Sequence, residues 1–127
     1  MIYGVGTDVV EIGRIKAVLE KYGERFARKI LCEPELRRFE NHRLKANYLA
    51  KRFAAKEAFT KALGTGIRAP ASWHGVWVRN LPSGKPVLEF SEALASLMQS
   101  RGVTAAHVSL SDEKGVAFAM VVLECEK

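Results

Sequence analysis

Glu57 and Lys61 stand one helical turn apart, just ahead of a glycine-flanked loop. They lie in the run Phe53-Ala-Ala-Lys-Glu-Ala-Phe-Thr-Lys-Ala-Leu-Gly-Thr-Gly66. If a helix begins near residue 43, its period of roughly 3.6 residues gathers Ala46, Leu49, Ala50, Phe53 and Ala54 on one apolar stripe. Glu57 falls inside that stripe, whereas Lys45, Arg52 and Lys56 fall on the face expected to meet water. A carboxylate on an apolar face loses hydration and needs a cation, a metal or good hydrogen bonds. Lys61, one turn on, supplies one such partner. The same pair also reads as ordinary helix-surface decoration, with Gly64 as a routine C-terminal cap.

Asp8 is the second residue placed awkwardly for packing. It interrupts an apolar, β-branched run over residues 2–12 that otherwise reads as a strand, a setting that disfavours aspartate. Two such acids, Asp8 and Glu57, could share a hard divalent cation. Mg²⁺ typically takes one or two carboxylates and leaves its other positions to water and phosphate oxygens. Lys61 and the amides of Gly64, Thr65 and Gly66 would then be candidates to hold phosphate. Gly4-Val-Gly6 resembles the start of a dinucleotide fingerprint. The third glycine is missing, however, and Thr7-Asp8-Val9 continues the strand where a helix should open, so that reading is rejected.

The elements that must position these residues follow from pattern and punctuation. After the first strand come expected helices over 13–22 and 24–30, a short one behind Pro34, and the long central helix over 43–63. Strands are expected over 75–80 and 86–90 around the Pro82-Ser83-Gly84 turn. A helix capped by Ser91 then runs to Gly102. Two last strands, over 105–111 and 116–124, flank a turn at Asp112–Gly115. His107, Ser109 and Ser111 alternate onto one face of their strand, a face that is either solvated or part of a subunit or ligand interface. The order predicts an α+β fold, an antiparallel sheet with helices packed on it, in one domain over residues 1–127.

Composition narrows the function classes. Residues 1–68 carry 15 Lys and Arg against 8 Asp and Glu, while residues 69–127 carry 5 against 6, so the basic excess sits in the first half. An acidic partner should meet that half. Arg14, Lys21, Arg25 and Arg28 would form a stripe on a continuous helix, although Gly23 is expected to break or kink it. A small basic nucleic-acid module is the main rival class. It is disfavoured because aromatic residues are not interleaved with the basic run, and it leaves Asp8 and Glu57 unexplained. No apolar run approaches membrane-spanning length, and residues 1–8 lack the pattern of a secretory signal. Cys32 and Cys125 fit no metal spacing and suit idle thiols in a reducing cytoplasm.

Four segments together carry a resemblance: Gly4-Val-Gly-Thr-Asp-Val-Val-Glu-Ile12, Arg52-Phe-Ala-Ala-Lys-Glu-Ala58, Lys61-Ala-Leu-Gly-Thr-Gly66 and His107-Val-Ser-Leu-Ser111. In this order and spacing the chain resembles the holo-acyl-carrier-protein synthases, the small bacterial 4′-phosphopantetheinyl transferases, over essentially its full length. The resemblance implies Mg²⁺-dependent transfer of phosphopantetheine from coenzyme A to a serine of apo-acyl carrier protein, releasing adenosine 3′,5′-bisphosphate. It implies that Asp8 and Glu57 hold Mg²⁺ with the pyrophosphate, that Lys61 contacts the pyrophosphate, and that Arg52 lies near the 3′-phosphate. The Gly64–Gly66 loop would run along the nucleotide. Arg14 and its basic neighbours would dock the acidic carrier protein. The resemblance also implies a homotrimer with coenzyme A between subunits, where Pro86, His107, Ser109 and Ser111 belong to the neighbouring subunit's wall. The base for the serine proton stays open between a water on the metal and a carboxylate. Many family members carry His directly after the Ser-x-Ser pattern; this chain has Asp112, so that histidine's contacts do not carry over.

Overall fold

A computed structural model describes residues 1–126. The chain runs β1 (Ile2–Glu11), α1 (Ile12–Tyr22), α2 (Glu24–Ile30), α3 (Glu33–Glu40), α4 (Lys45–Leu63), β2 (Val76–Asn80), β3 (Pro86–Phe90), α5 (Glu92–Ser100), β4 (Val103–Glu113) and β5 (Val116–Cys125). The punctuation acts as the sequence suggests. Gly23, at φ 63°, ends α1 and turns the chain into α2. Pro34 sits in the first turn of α3, where no amide donor is needed. Gly64 caps α4 in the left-handed region. The Ser91 hydroxyl accepts from the Leu94 amide at the start of α5. The last hairpin turns on Lys114 and Gly115 alone, both at positive φ, so β4 runs on to Glu113 while β5 starts at Val116 as expected.

The fold is α+β, with two antiparallel sheets in place of the one expected. A three-stranded sheet has the order β1-β5-β4, and β2 and β3 form a separate ribbon. Alternation along β5 points Ala117, Ala119, Val121 and Leu123, all fully buried, at α4. One core packs Ala54, Ala58, Phe59 and Leu63 of α4 against β5, the β2–β3 ribbon, Leu94 and Met98. A second joins Tyr48, Leu49 and Ala50 to Ile12, Ile15, Ala27, Ile30 and Phe39 of the first three helices. Helix α4 serves both cores.

The expected solvated face of α4 is not solvated. Lys56 is fully buried and Arg52 is only 4% exposed. An apolar period cannot register a distant counter-charge, and Lys56 has one. Its ammonium lies 2.7 Å from Oε1 of Glu35, itself fully buried in α3. Arg52 places its guanidinium 4.0 Å from the centre of the Tyr48 ring and donates to Asn80 Oδ1 at 2.7 Å.

Candidate active site

Strand β1 and helix α4 approach almost backbone to backbone. A Cβ added at Gly6 would lie 1.9 Å from the Ala58 carbonyl oxygen, and one at Gly4 would lie 2.0 Å from that of Ala62. Only glycine leaves room for this crossing. Gly4, Gly6 and Asp8 share one face of the strand, because side chains alternate, so the residue after the two glycines also points at α4. The Gly-x-Gly-x-Asp spacing is therefore a docking device that delivers Asp8 to the helix. That role was invisible in the sequence because the matching alanines lie more than 50 residues away.

Asp8 meets the acid and base of α4 there. Lys61 Nζ lies 3.1 Å from Asp8 Oδ1 and donates to the Thr7 carbonyl at 2.9 Å. Asp8, Glu57, Lys61 and Arg14 line one cleft of about 460 Å³, walled by Val9, Val10, Ile15, Val18, Phe26 and Phe53. Burial pushes the Glu57 carboxyl above its ordinary value, and the Asp8 charge pushes it further, against an opposing pull from Lys61. Two mutually repelling carboxylates with one lysine leave an electrostatic deficit that a divalent cation fits. Among the described residues no group of three or more His, Cys, Asp or Glu could cage a metal by itself. The donor set thus suits a hard ion that completes its shell with water and ligand oxygens.

The other expected site residues separate into groups. Gly64, Thr65 and Gly66 follow Lys61 at the end of α4, but the Gly64 and Thr65 amides both donate to the Thr60 carbonyl, at 2.8 and 3.1 Å. Those two amides close the helix in this structure, and the loop follows Lys61 directly. Arg52 lies on another side of α4, away from Glu57. Its Nε is buried without a hydrogen-bond partner and no carboxylate pairs with it among the described residues. The nearby His42 is held below its ordinary value, first by burial and then by the positive charges of Lys51, Arg52 and Arg38. Pro86 opens β3. His107, Ser109 and Ser111 lie on the outward face of β4, while Asp8 faces inward from β1, two strands away in the sheet. Within one chain these groups do not meet.

The expected basic stripe is broken at Gly23. Arg14 reaches the cleft, and Arg25 lines an adjoining depression of about 360 Å³ with Val18, Tyr22, Phe26 and Lys29. Lys29 and the apolar floor were missed from sequence, since a break between helices scrambles the period. Lys21 lies over the Tyr22 ring. Arg28 pairs with Glu24 and turns toward a different depression, beside His74 and Trp77. Asp112 accepts from Asn47 Nδ2 at 2.9 Å and pairs with Lys51 at 3.2 Å, tying the β4–β5 hairpin to α4.

Residues 4–120 match the family model of the 4′-phosphopantetheinyl transferase superfamily. The chain belongs to that superfamily. It is 51% identical to the holo-acyl-carrier-protein synthase of Nitrosospira multiformis over 124 residues, covering 98% of this chain and 99% of that one. Its fold is similar to the holo-acyl-carrier-protein synthase crystal structure from Neisseria meningitidis, with a TM-score of 0.94, 44% identity and coverage of 98% and 99%. A synthase from Bacillus anthracis, solved in complex with coenzyme A (3′,5′-ADP), matches with a TM-score of 0.82, 39% identity and coverage of 99% of each chain.

Proposed function

We propose that this chain performs the holo-acyl-carrier-protein synthase reaction in the cleft between β1 and α4, with Asp8, Glu57 and Lys61 as its working groups. The observation that carries the assignment of residues is their convergence: two acids and a lysine from segments about 50 residues apart share one half-buried cleft. In the reaction, the carrier serine oxygen attacks the β-phosphorus of coenzyme A. A new O–P bond forms, the bond from that phosphorus to the bridging oxygen breaks, and adenosine 3′,5′-bisphosphate leaves while the serine gives up its proton. Charge builds on the pyrophosphate, so positioning and positive charge do most of the work.

Asp8 and Glu57 would hold Mg²⁺, which when bound supplies Lewis acidity and neutralises pyrophosphate charge. Lys61 turns its exposed ammonium to a pyrophosphate oxygen while Asp8 and the Thr7 carbonyl limit its swing. Arg14, Arg25 and Lys29, beside the apolar floor of Val18 and Phe26, with Lys21 over the Tyr22 ring, form the surface for an acidic carrier protein and steer it to the cleft. Arg52 is a buried cation with which no carboxylate pairs among the described residues, and its Nε has no hydrogen-bond partner there, which supports an anionic ligand group, the 3′-phosphate, at its corner.

A second copy of the chain completes the site in this reading. The outward face of the three-stranded sheet carries exposed Val5, Val9, Phe118 and Met120 in one apolar patch. His107 and Ser109 flank that patch, so a copy packed there brings them, with Ser111 and Pro86, toward a neighbouring cleft; we place the assembly as a homotrimer. No described helix is long and apolar enough to cross a membrane. The free thiols of Cys32 and Cys125 suit the cytoplasm.

The test is mass spectrometry of apo-acyl carrier protein incubated with the protein, coenzyme A and Mg²⁺. A phosphopantetheine mass gain on the carrier serine that EDTA abolishes supports the reading. No gain from a folded preparation with several apo-carriers rejects it.

A further inference from the structure

The close crossing of β1 and α4 leaves a mechanical problem. Gly4 and Gly6 against Ala58 and Ala62 bring only small groups to the crossing itself, so the crossing alone gives the helix little resistance to turning. Yet Glu57 and Lys61 must face Asp8. The apolar packing of Tyr48, Leu49, Phe59 and Leu63 restrains α4 without direction, and a directional lock on its far side would set its rotation.

Lys56 is placed to do so. It lies two residues before Ala58, about 160° around the helix, so it projects away from the strand. Its ammonium donates to the Ile30 carbonyl at 2.6 Å, to Glu35 Oε1 at 2.7 Å and to the Trp73 carbonyl at 2.8 Å, which uses all three donors. Glu35 in turn accepts from the Cys32 amide and, through Oε2, from the Val78 amide, each at 2.9 Å. One closed network therefore ties α4 to the end of α2, to α3, to the loop before β2 and to β2 itself. It also reaches the cleft, because the Trp73 ring stacks on Phe53 of its wall with centroids 5.0 Å apart. A buried ion pair is a weak source of stability compared with apolar residues of the same volume. Its product here is geometry.

We infer that Glu35 and Lys56 are positioning residues that fix the rotation of α4 and so hold Glu57 and Lys61 against Asp8. This rests on the reading of Asp8 and Glu57 as the metal-holding pair. Neither positioning residue touches the cleft, and any turn of the helix that swings Glu57 away from Asp8 must break at least one of the three ammonium bonds.

The experiment compares the wild type, E35Q/K56M and E57Q by calorimetry of coenzyme A binding with and without Mg²⁺, alongside steady-state transfer. The double variant carries no unpaired buried charge, and circular dichroism reports its fold. We expect it to lose about tenfold of the Mg²⁺-dependent gain in coenzyme A affinity. Its kcat should fall about 10- to 100-fold, with KM for the carrier protein changed less than about twofold, because the network does not include the docking surface. A folded double variant with the wild-type Mg²⁺-dependent gain and kcat overturns the inference. If it does not fold, E35Q alone, which keeps the carbonyl partners of Lys56, must show the same split. Failure of both to fold assigns the pair to folding and also overturns it. E57Q separates the two readings: if E57Q keeps the Mg²⁺-dependent gain, the metal-site reading fails first. If E57Q loses the gain while folded E35Q/K56M keeps it, only the positioning inference fails.

Discussion

Replacing Gly6 with alanine adds a single methyl group at the crossing of β1 and α4, and the structure fixes what that methyl meets. Its carbon would lie 1.9 Å from the Ala58 carbonyl oxygen, 2.8 Å from the Ala62 nitrogen and 2.9 Å from the Ala58 carbonyl carbon. Ordinary contact begins near 3.4 Å, so strand and helix must part by about 1.5 Å. Neither side yields cheaply: Gly6 is paired with Val121 in the sheet, and Lys56 anchors the far side of α4. Overpacking costs about 1–3 kcal/mol, and the struck atoms are backbone, so the upper end applies. For a domain of this size that is a fall of about 10 °C in Tm. The same separation stretches the 3.1 Å Lys61–Asp8 contact past the limit of about 4 Å for an ion pair. A misplacement of about 1 Å in a positioned site costs on the order of 100-fold in rate. Thermal melts and the carrier-protein mass assay read both effects. G13A is the control, because a Cβ at Gly13 meets nothing within 4 Å and alanine favours the helix. A G6A protein with wild-type Tm and wild-type rate would refute the account of the crossing.

Four further outcomes are expected. E57Q should lose Mg²⁺-dependent transfer while keeping the fold, and retained activity would remove Glu57 from the site. The Glu57 carboxyl is raised by burial and by Asp8, so the native state holds that proton more tightly than the unfolded chain does. Metal-free stability should therefore fall as pH rises from the ordinary Glu value through the raised native one, and E57Q should lack that fall in pH-dependent denaturant titrations. R14E should raise KM for the carrier protein several-fold with a smaller change for coenzyme A; an unchanged carrier dependence counts against the docking surface. K56M alone leaves Glu35 buried without its cation and should destabilise by about 3–5 kcal/mol in urea unfolding, well beyond the double change E35Q/K56M.

What the sequence discloses depends on the range of the interaction involved. Asp8 and Glu57 were legible because each violates a local pattern, a strand in one case and an apolar stripe in the other. Element order was legible for the same reason: Gly23, Pro34, Gly64 and Ser91 each act on their own neighbours. Lys56 was misplaced on the wet face because its burial is decided by Glu35, 21 residues earlier, and by three segments that converge on its ammonium. Arg52 was misplaced with it, since Tyr48 and Asn80 shield it in ways that no period records. The purpose of Gly4 and Gly6 stayed hidden because a close approach is a property of two segments. The division of the strands into a three-stranded sheet and a separate ribbon is likewise decided by long-range pairing.

The crossing has a consequence for how substitutions distribute over this protein. Where a reactive geometry is set by interlocked side chains, many core exchanges perturb it slightly and few destroy it. Here the distance between the two halves of the site is set by two carbonyl oxygens, of Ala58 and Ala62, resting in the spaces where side chains would be. In a saturation library selected for transfer, positions 4 and 6 should be as intolerant as position 8, though neither glycine carries a functional group. Apolar exchanges at Val121 or Leu123, on the next strand of the sheet, should survive far more often.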